Sequence, residues 1–270
     1  TTTTAQASLT ATQYGSLRHS IEGFNTADFN WGTANASAIT LSFWVRSSLI
    51  GTHGGSLVNT SFNRSYPFAY TVNTADVWQK ISLAIDGDTS GVWATGNTAG
   101  IHIFFGLGTG STYSGTAGAW AATVYYSATG ATSVVGTSGA TFYITGVQLE
   151  KGSTATDFDY LDYGRSLIQC QRYFYLHSKG AYGQVNSATT ATFGGRHPVS
   201  MRATPTVTQT GVITIWQLGL GGAPVQSSVG GGAANISADY LDYQYTNFSG
   251  LTMYYPCSIN AGSSGVSAEL

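Results

Sequence analysis

The chain has 270 residues, a formal net charge of −2 and only 8% charged residues, against 35 Gly, 30 Ser and 37 Thr. Soluble domains carry about 25% charged residues, so the basic surface that neutralises nucleic-acid phosphates is excluded. The 17 Tyr, 12 Phe and 6 Trp exclude a disordered polar tail and supply a core, and no apolar run approaches the roughly 20 residues of a membrane helix.

At about 100–200 residues per domain, the length suggests one large or two small domains. The Thr-Thr-Thr-Thr start, without Met, suggests a processed or truncated chain. The dominant period that follows is two. In Ile39-Thr-Leu-Ser-Phe-Trp-Val-Arg46, one face carries Ile39, Leu41, Phe43 and Val45, and the other Thr40, Ser42, Trp44 and Arg46. That alternation predicts a half-buried strand. Trp78–Ile85, with Ile81, Leu83 and Ile85 inward, and Ile101–Leu107, with Ile101, Ile103, Phe105 and Leu107 together, repeat it. Thr141–Leu149 reads as a long aromatic and β-branched strand. Turn clusters are expected at Gly51–Gly55, Asp86–Gly91, Gly106–Gly115 and Gly130–Gly139.

Charged residues concentrate in the stretch from Glu150 to Arg172. Within it, Asp162–Arg172 predicts a short helix with Leu167 and Cys170 on one face. Short strands resume at Arg172–Leu176, Ala188–Phe193, Thr206–Thr210, Val212–Gln217 and Leu251–Ile259, with flexible loops at Gly219–Gly222 and Gly230–Gly232. The fold expected is all-β: an antiparallel jelly roll or β-sandwich over residues 1–162, then a short helix and a second, smaller β-sandwich over residues 163–270. The tetrapeptide Tyr-Leu-Asp-Tyr starts at both Tyr160 and Tyr240, but its flanks differ, so no repeat is inferred.

The motifs of catalysis are absent. No GxxxxGK[ST], GxGxxG, GxSxG or HExxH occurs. His19, His53, His102, His177 and His197 show no ligand-like spacing to Cys170 or Cys257, so no metal site is expected. The cysteine count excludes a disulfide scaffold; two buried free thiols are expected, with a single Cys170–Cys257 bridge as the alternative. Asp157 and Asp159 are close in sequence, but nothing nominates a carboxylate pair across a cleft, so no enzyme activity is expected. Asp86-Gly-Asp-Thr-Ser-Gly91 imitates the start of a calcium loop, yet its twelfth position is Asn97 and no helices flank it. It reads as a turn, and no cofactor is expected beyond an open place for a structural calcium ion elsewhere in the jelly roll.

The aromatic excess carries more information. Trp44 and Arg46 point away from the apolar face of their strand, as do Trp78 and Lys80, and His102 with Phe104, on theirs. Indoles stack on the apolar C–H faces of sugars, and Arg, Lys and His bond their hydroxyls. Trp44, Arg46, Trp78, Lys80 and His102 are thus the candidate carbohydrate-binding residues. The competing reading is burial of both faces, or a subunit interface. Trp31, Trp93 and Trp120 sit in turn-rich context and read as plugs at strand ends.

Several segments resemble the jelly-roll repeat of bacteriophage virion proteins. They include Ile21-Glu-Gly-Phe, Trp31-Gly-Thr-Ala, Thr40-Leu-Ser-Phe-Trp-Val-Arg-Ser-Ser48, Asn63-Arg-Ser-Tyr-Pro-Phe68 and Gly87-Asp-Thr-Ser-Gly-Val-Trp93. The most specific runs from Thr141 through Gly146-Val-Gln-Leu-Glu-Lys-Gly-Ser-Thr-Ala-Thr-Asp-Phe158, followed by Cys170-Gln-Arg-Tyr-Phe174. Where the family usually has Pro, this chain has Asp157. The resemblance implies a domain similar to carbohydrate-binding modules, carried in the virion on a tail-fibre-type appendage that attaches to host surface polysaccharide. It implies other virion proteins as partners and a homo-oligomer with a trimer favoured, without nucleic acid or membrane insertion. No catalytic residue carries over. Two alternatives are a structural head decoration, head fibre or cement protein without glycan binding, and a glycan-cleaving depolymerase.

Overall fold

The computed structural model describes residues 1–177, 181–209, 211–219, 225–226, 231–262 and 264–269. The chain divides into two compact units, Thr1–Asp159 and Tyr160–Glu269. Both are built mainly from antiparallel sheets, with one short parallel pair, Ser114–Gly115 with Ser127–Ala128, in the first unit, in a jelly-roll-like all-β sandwich architecture with one short α-helix among the described residues.

The strands of the first unit are β1 (Tyr14–Glu22), β2 (Ile39–Ser47), β3 (Gly51–Asn59), β4 (Ser65–Val72), β5 (Gln79–Ile85), β6 (Ala99–Thr109), β7 (Ser114–Gly115), β8 (Ser127–Ala128) and β9 (Phe142–Lys151). A four-stranded sheet has the order β1-β6-β3-β4 and a three-stranded sheet the order β5-β2-β9. The period of two sets what each sheet buries. Ile39, Leu41, Phe43 and Val45 of β2 are buried, facing Leu57, Phe68, Tyr70, Ile103 and Phe105 of the other sheet. Phe43 makes edge-to-face contacts with Tyr70 at 5.0 Å and Phe105 at 5.1 Å. Full burial of one such side chain contributes about 1.5–3 kcal/mol.

Gly51–Gly55, expected as a turn, instead opens β3, which pairs with β4 and β6. These glycines serve close packing rather than chain reversal. A Cβ on Gly55 would collide with the Phe104 carbonyl oxygen and the Phe68 ring, and one on Gly54 would meet Ser127 and Ala128. β6 likewise runs through Gly106 to Thr109, beyond the start of the turn cluster expected there.

Trp31, Trp93 and Trp120 meet pairwise at 4.8, 5.1 and 5.4 Å, all edge to face. Each indole N–H donates inward: Trp31 to Ser37 O, Trp93 to Asp88 Oδ2 and Trp120 to Asp86 O. The Asp88 side chain is fully buried. Arg64 grips it through Nε, at 2.9 Å from Oδ2, and through Nη2, at 2.6 Å from Oδ1. The Arg64 guanidinium also lies 5.9 Å from the Trp120 ring centroid. Asp86–Gly91 is therefore a turn whose Asp88 is committed to Arg64 and Trp93. Among the described residues no three His, Cys, Asp or Glu side chains come together as a metal-binding group.

The second unit begins with α1 (Tyr163–Gln171), capped by Asp162, whose side chain accepts from the Arg165 N–H at 3.0 Å. Its strands are β10 (Phe174–His177), β11 (Tyr182–Ser187), β12 (Thr190–Arg196), β13 (Thr206–Gln209), β14 (Thr214–Gln217), β15 (Val225–Gln226), β16 (Gly231–Ile236), β17 (Tyr240–Tyr245), β18 (Pro256–Ala261) and β19 (Ser264–Ser267). A three-stranded sheet, β10-β19-β13, shares a core with a seven-stranded one, β15-β14-β18-β11-β12-β17-β16. The buried Tyr245 hydroxyl bonds Ser264 Oγ at 2.9 Å, tying one sheet to the other. The loops expected at Gly219–Gly222 and Gly230–Gly232 fall partly outside the described residues, as does Thr210, while Gly231 and Gly232 open β16.

The cysteines depart from expectation. Both are free, but only Cys257 is buried, and Cys170 is exposed on α1. Every side chain of this helix is at least partly solvent-accessible, so its apolar positions do not bury what a core helix would. Desolvation pushes the Cys257 thiol up to about 12.

The buried ion pair yields a stability prediction. Arg64→Ala leaves Asp88 uncompensated in the interior and should cost about 3–5 kcal/mol, measured by urea unfolding followed through tryptophan fluorescence. All tryptophans but Trp216 lie in the first unit, so the signal reports mainly that unit.

Candidate functional site

Because Phe43 and Val45 are anchored inward, Trp44 and Arg46 stand on the outer face of the β5-β2-β9 sheet. Register then assembles two rows across the strands. Trp44 pairs with Lys80 on β5 and Thr145 on β9. Arg46 pairs with Tyr143 on β9, while Val45 opposite Gln79 brings Trp78, the next residue out, alongside Arg46. Trp44 and Trp78 are each 41% exposed and Tyr143 45%. The Trp78 and Tyr143 rings are 6.5 Å apart, and the Arg46 guanidinium lies 5.3 Å from the Tyr143 centroid. Arg46 also reaches Asp76 at 3.9 Å, and its Nε is buried without a hydrogen-bond partner.

The other half of this face is covered. After Lys151 the chain turns back, with Gly152 N–H donating to Ala38 O and Gly152 O accepting from Thr40 Oγ1. Gln148 binds the returning segment through both ends of its amide, with Nε2 also 3.3 Å from the Thr156 hydroxyl. Its Nε2 donates to Asp157 O at 3.2 Å, and its Oε1 accepts from the Asp159 N–H at 2.8 Å. Glu150 accepts from the Thr156 N–H at 3.1 Å and from the Thr156 hydroxyl. Desolvation raises the Glu150 carboxyl, but hydrogen bonds from Gln148 and Thr156 and the charge of Lys80 outweigh it and hold it below its usual range. The strap places Phe158 beside Trp44, where β9 bulges at Gly146. Gly146 has φ +58°, and a Cβ there would lie 3.3 Å from Trp44 Cδ1 and 3.8 Å from Phe158 Cδ2.

The structure therefore brings Trp44, Arg46, Trp78 and Lys80 together and adds Tyr143 and Phe158. Tyr143 was legible in the alternation of Phe142, Tyr143 and Ile144. Phe158 carried no periodic signal, because an irregular segment delivers it. His102 does not belong to this group. It lies on β6 in the opposite sheet, facing away from the shared core, and it is buried rather than exposed. Ser20 Oγ bonds its Nδ1 at 2.8 Å, and Phe62 stacks on it at 5.0 Å. Phe104 and Tyr126 pack in the same small cluster with Val58, so a second layer covers this part of the sheet. Periodicity gives the face of a side chain but not what covers that face.

The chain matches no family model and no curated protein.

Desolvation, with Arg18 adding to it, lowers His102 to about 4. An unfolded histidine titrates near 6.5, so in the window from about 6.5 to 4 the unfolded state binds a proton that the folded state does not. Unfolding free energy should therefore fall with decreasing pH across this window, by about 1.4 kcal/mol per pH unit from this group, and be flat above it. Unfolding midpoints of wild type and His102→Gln measured through the window should show a shallower slope for the variant.

Proposed function

We propose that this chain is a non-enzymatic virion protein of phage tail-fibre type, which attaches to host surface glycan through the outer face of the β5-β2-β9 sheet. The observation that carries the reading is one open patch holding the rings of Trp44, Trp78, Tyr143 and Phe158 together with Lys80 and Arg46. Pyranose rings present apolar C–H faces to indole and phenol, while the two cations donate to hydroxyls and to acidic sugar groups. The patch is shallow and set on strands, which suits an extended polysaccharide rather than an enclosed small molecule. Low charge and dense antiparallel pairing suit a rigid particle component among other virion proteins, in a homo-oligomer for which a trimer is favoured.

A second reading, a structural head decoration, head fibre or cement protein, draws on one observation. On α1, Tyr163, Leu167 and Ile168 are exposed, and such side chains suit contact with neighbouring copies or the capsid. Cryo-electron microscopy of the intact particle separates the two by the position of the chain.

Trp44→Ala and Trp78→Ala should each weaken binding to polysaccharide purified from the host surface at least tenfold, about 1.4 kcal/mol or more, with an unchanged unfolding midpoint. Biolayer interferometry on the full chain measures this. Wild-type affinity in both variants would remove the face from consideration.

A further inference from the structure

The second unit carries its own row of exposed rings, fixed by register. On β14, Ile215 is buried and Trp216 points outward, and on β11, Val185 is buried while Tyr182 and Gln184 point outward. Trp216 and Tyr182 both pair with Ser258 of the intervening strand β18. They stand two strand spacings apart, about 9–10 Å, on either side of a small side chain. Trp216 is 46% exposed and Tyr182 68%. The Ser258 hydroxyl has no hydrogen bond to another described residue.

Beyond Tyr182 the register continues to Gly194 of β12, since Gly183 pairs with Phe193. Gly194 in turn pairs with Asp242 of β17. Gly194 leaves a gap into which Asp242 leans, because a Cβ there would collide with Asp242 Oδ1. The Tyr240 hydroxyl donates to that same oxygen at 2.6 Å, which leaves Oδ2 without a partner among the described residues. The row reads ring, hydroxyl, ring, gap, carboxylate.

We propose that this row is a second glycan site, which takes an uncharged polysaccharide lying across the strands. A sugar ring seated between Trp216 and Tyr182 stacks its C–H faces on them and meets the Ser258 hydroxyl beneath. The next sugar lies over Gly194 and donates its hydroxyls to Asp242 Oδ2. Arg196, paired with Tyr240, lies two residues along β12 from Gly194, so the row's one carboxylate has one cation near it on the sheet, and the face matches a neutral chain better than an acidic one. The inference shares the ligand class proposed above for the chain but rests on none of the residues of the first unit.

Isothermal titration of the full chain with cellohexaose, maltohexaose and laminarihexaose tests it. The double variant Tyr182→Ala, Trp216→Ala should lose one class of site, with affinity there falling at least tenfold, while Trp44→Ala, Trp78→Ala keeps that class. Asp242→Asn, which preserves shape, should weaken the same class with an unchanged unfolding midpoint. Wild-type isotherms in the Tyr182, Trp216 variant overturn the inference. So does a drop in oligomeric mass for that variant by light scattering, because the row is then an interface between copies. Failure of all three sugars to bind the wild-type chain also overturns it. Loss of host-polysaccharide binding only in the Trp44, Trp78 variant leaves the proposed function standing while this site falls.

Discussion

The position of Phe43 governs the first unit. Its ring sits between the two sheets, edge to face with Tyr70 and Phe105, where no strand can slip by one residue without exposing the whole apolar set of β2. Since neighbouring side chains on a strand point to opposite faces, this burial commits Trp44 and Arg46 to the outside. Pairing with β5 and β9 then brings Lys80, Trp78 and Tyr143 up beside them. The candidate face is thus a consequence of core packing, with no separate scaffold to hold it.

Two devices limit and stiffen that face. The strap from Gly152 to Asp159 closes half of it through Gln148 and Glu150. The Gln148 amide pairs with the strap as backbone would, donating on one side and accepting on the other. The run from Gly146 to Phe158 therefore has a structural meaning: a bulge, two holding side chains and a delivered ring. Elsewhere in the unit, the three indoles gather around the turn that Arg64 and Asp88 hold shut. Burial makes that ion pair expensive to break, because either charge alone would remain desolvated.

Much of this was legible from residue order. The alternation in Ile39–Arg46 placed Trp44, and the same period placed Trp78 and Lys80 on strand faces. Asp162 ahead of a helical run marked the start of α1. What misled was local composition. Gly54 and Gly55 resemble turn residues, yet their lack of a Cβ serves the approach of Phe68 and of strand β6. His102 alternates outward as expected, but Phe62 arrives from a distant segment and stacks over it. Phe158 sits in no periodic element, and only the strap brings it to Trp44.

Residue order by itself determined the all-β class, the inward and outward faces of the strands and the helix start, because these follow from steric alternation and local capping. Tertiary structure decided which outward side chains stay open, since exposure depends on chain segments far away in sequence. Tyr-Leu-Asp-Tyr shows the division most directly. At Tyr160 it leads into α1, with Asp162 as the cap, and at Tyr240 it forms β17, with Asp242 pairing with Gly194. The same four side chains serve a helix start or a strand according to whether the next residues present backbone N–H groups for the aspartate to cap or a neighbouring strand supplies the partners.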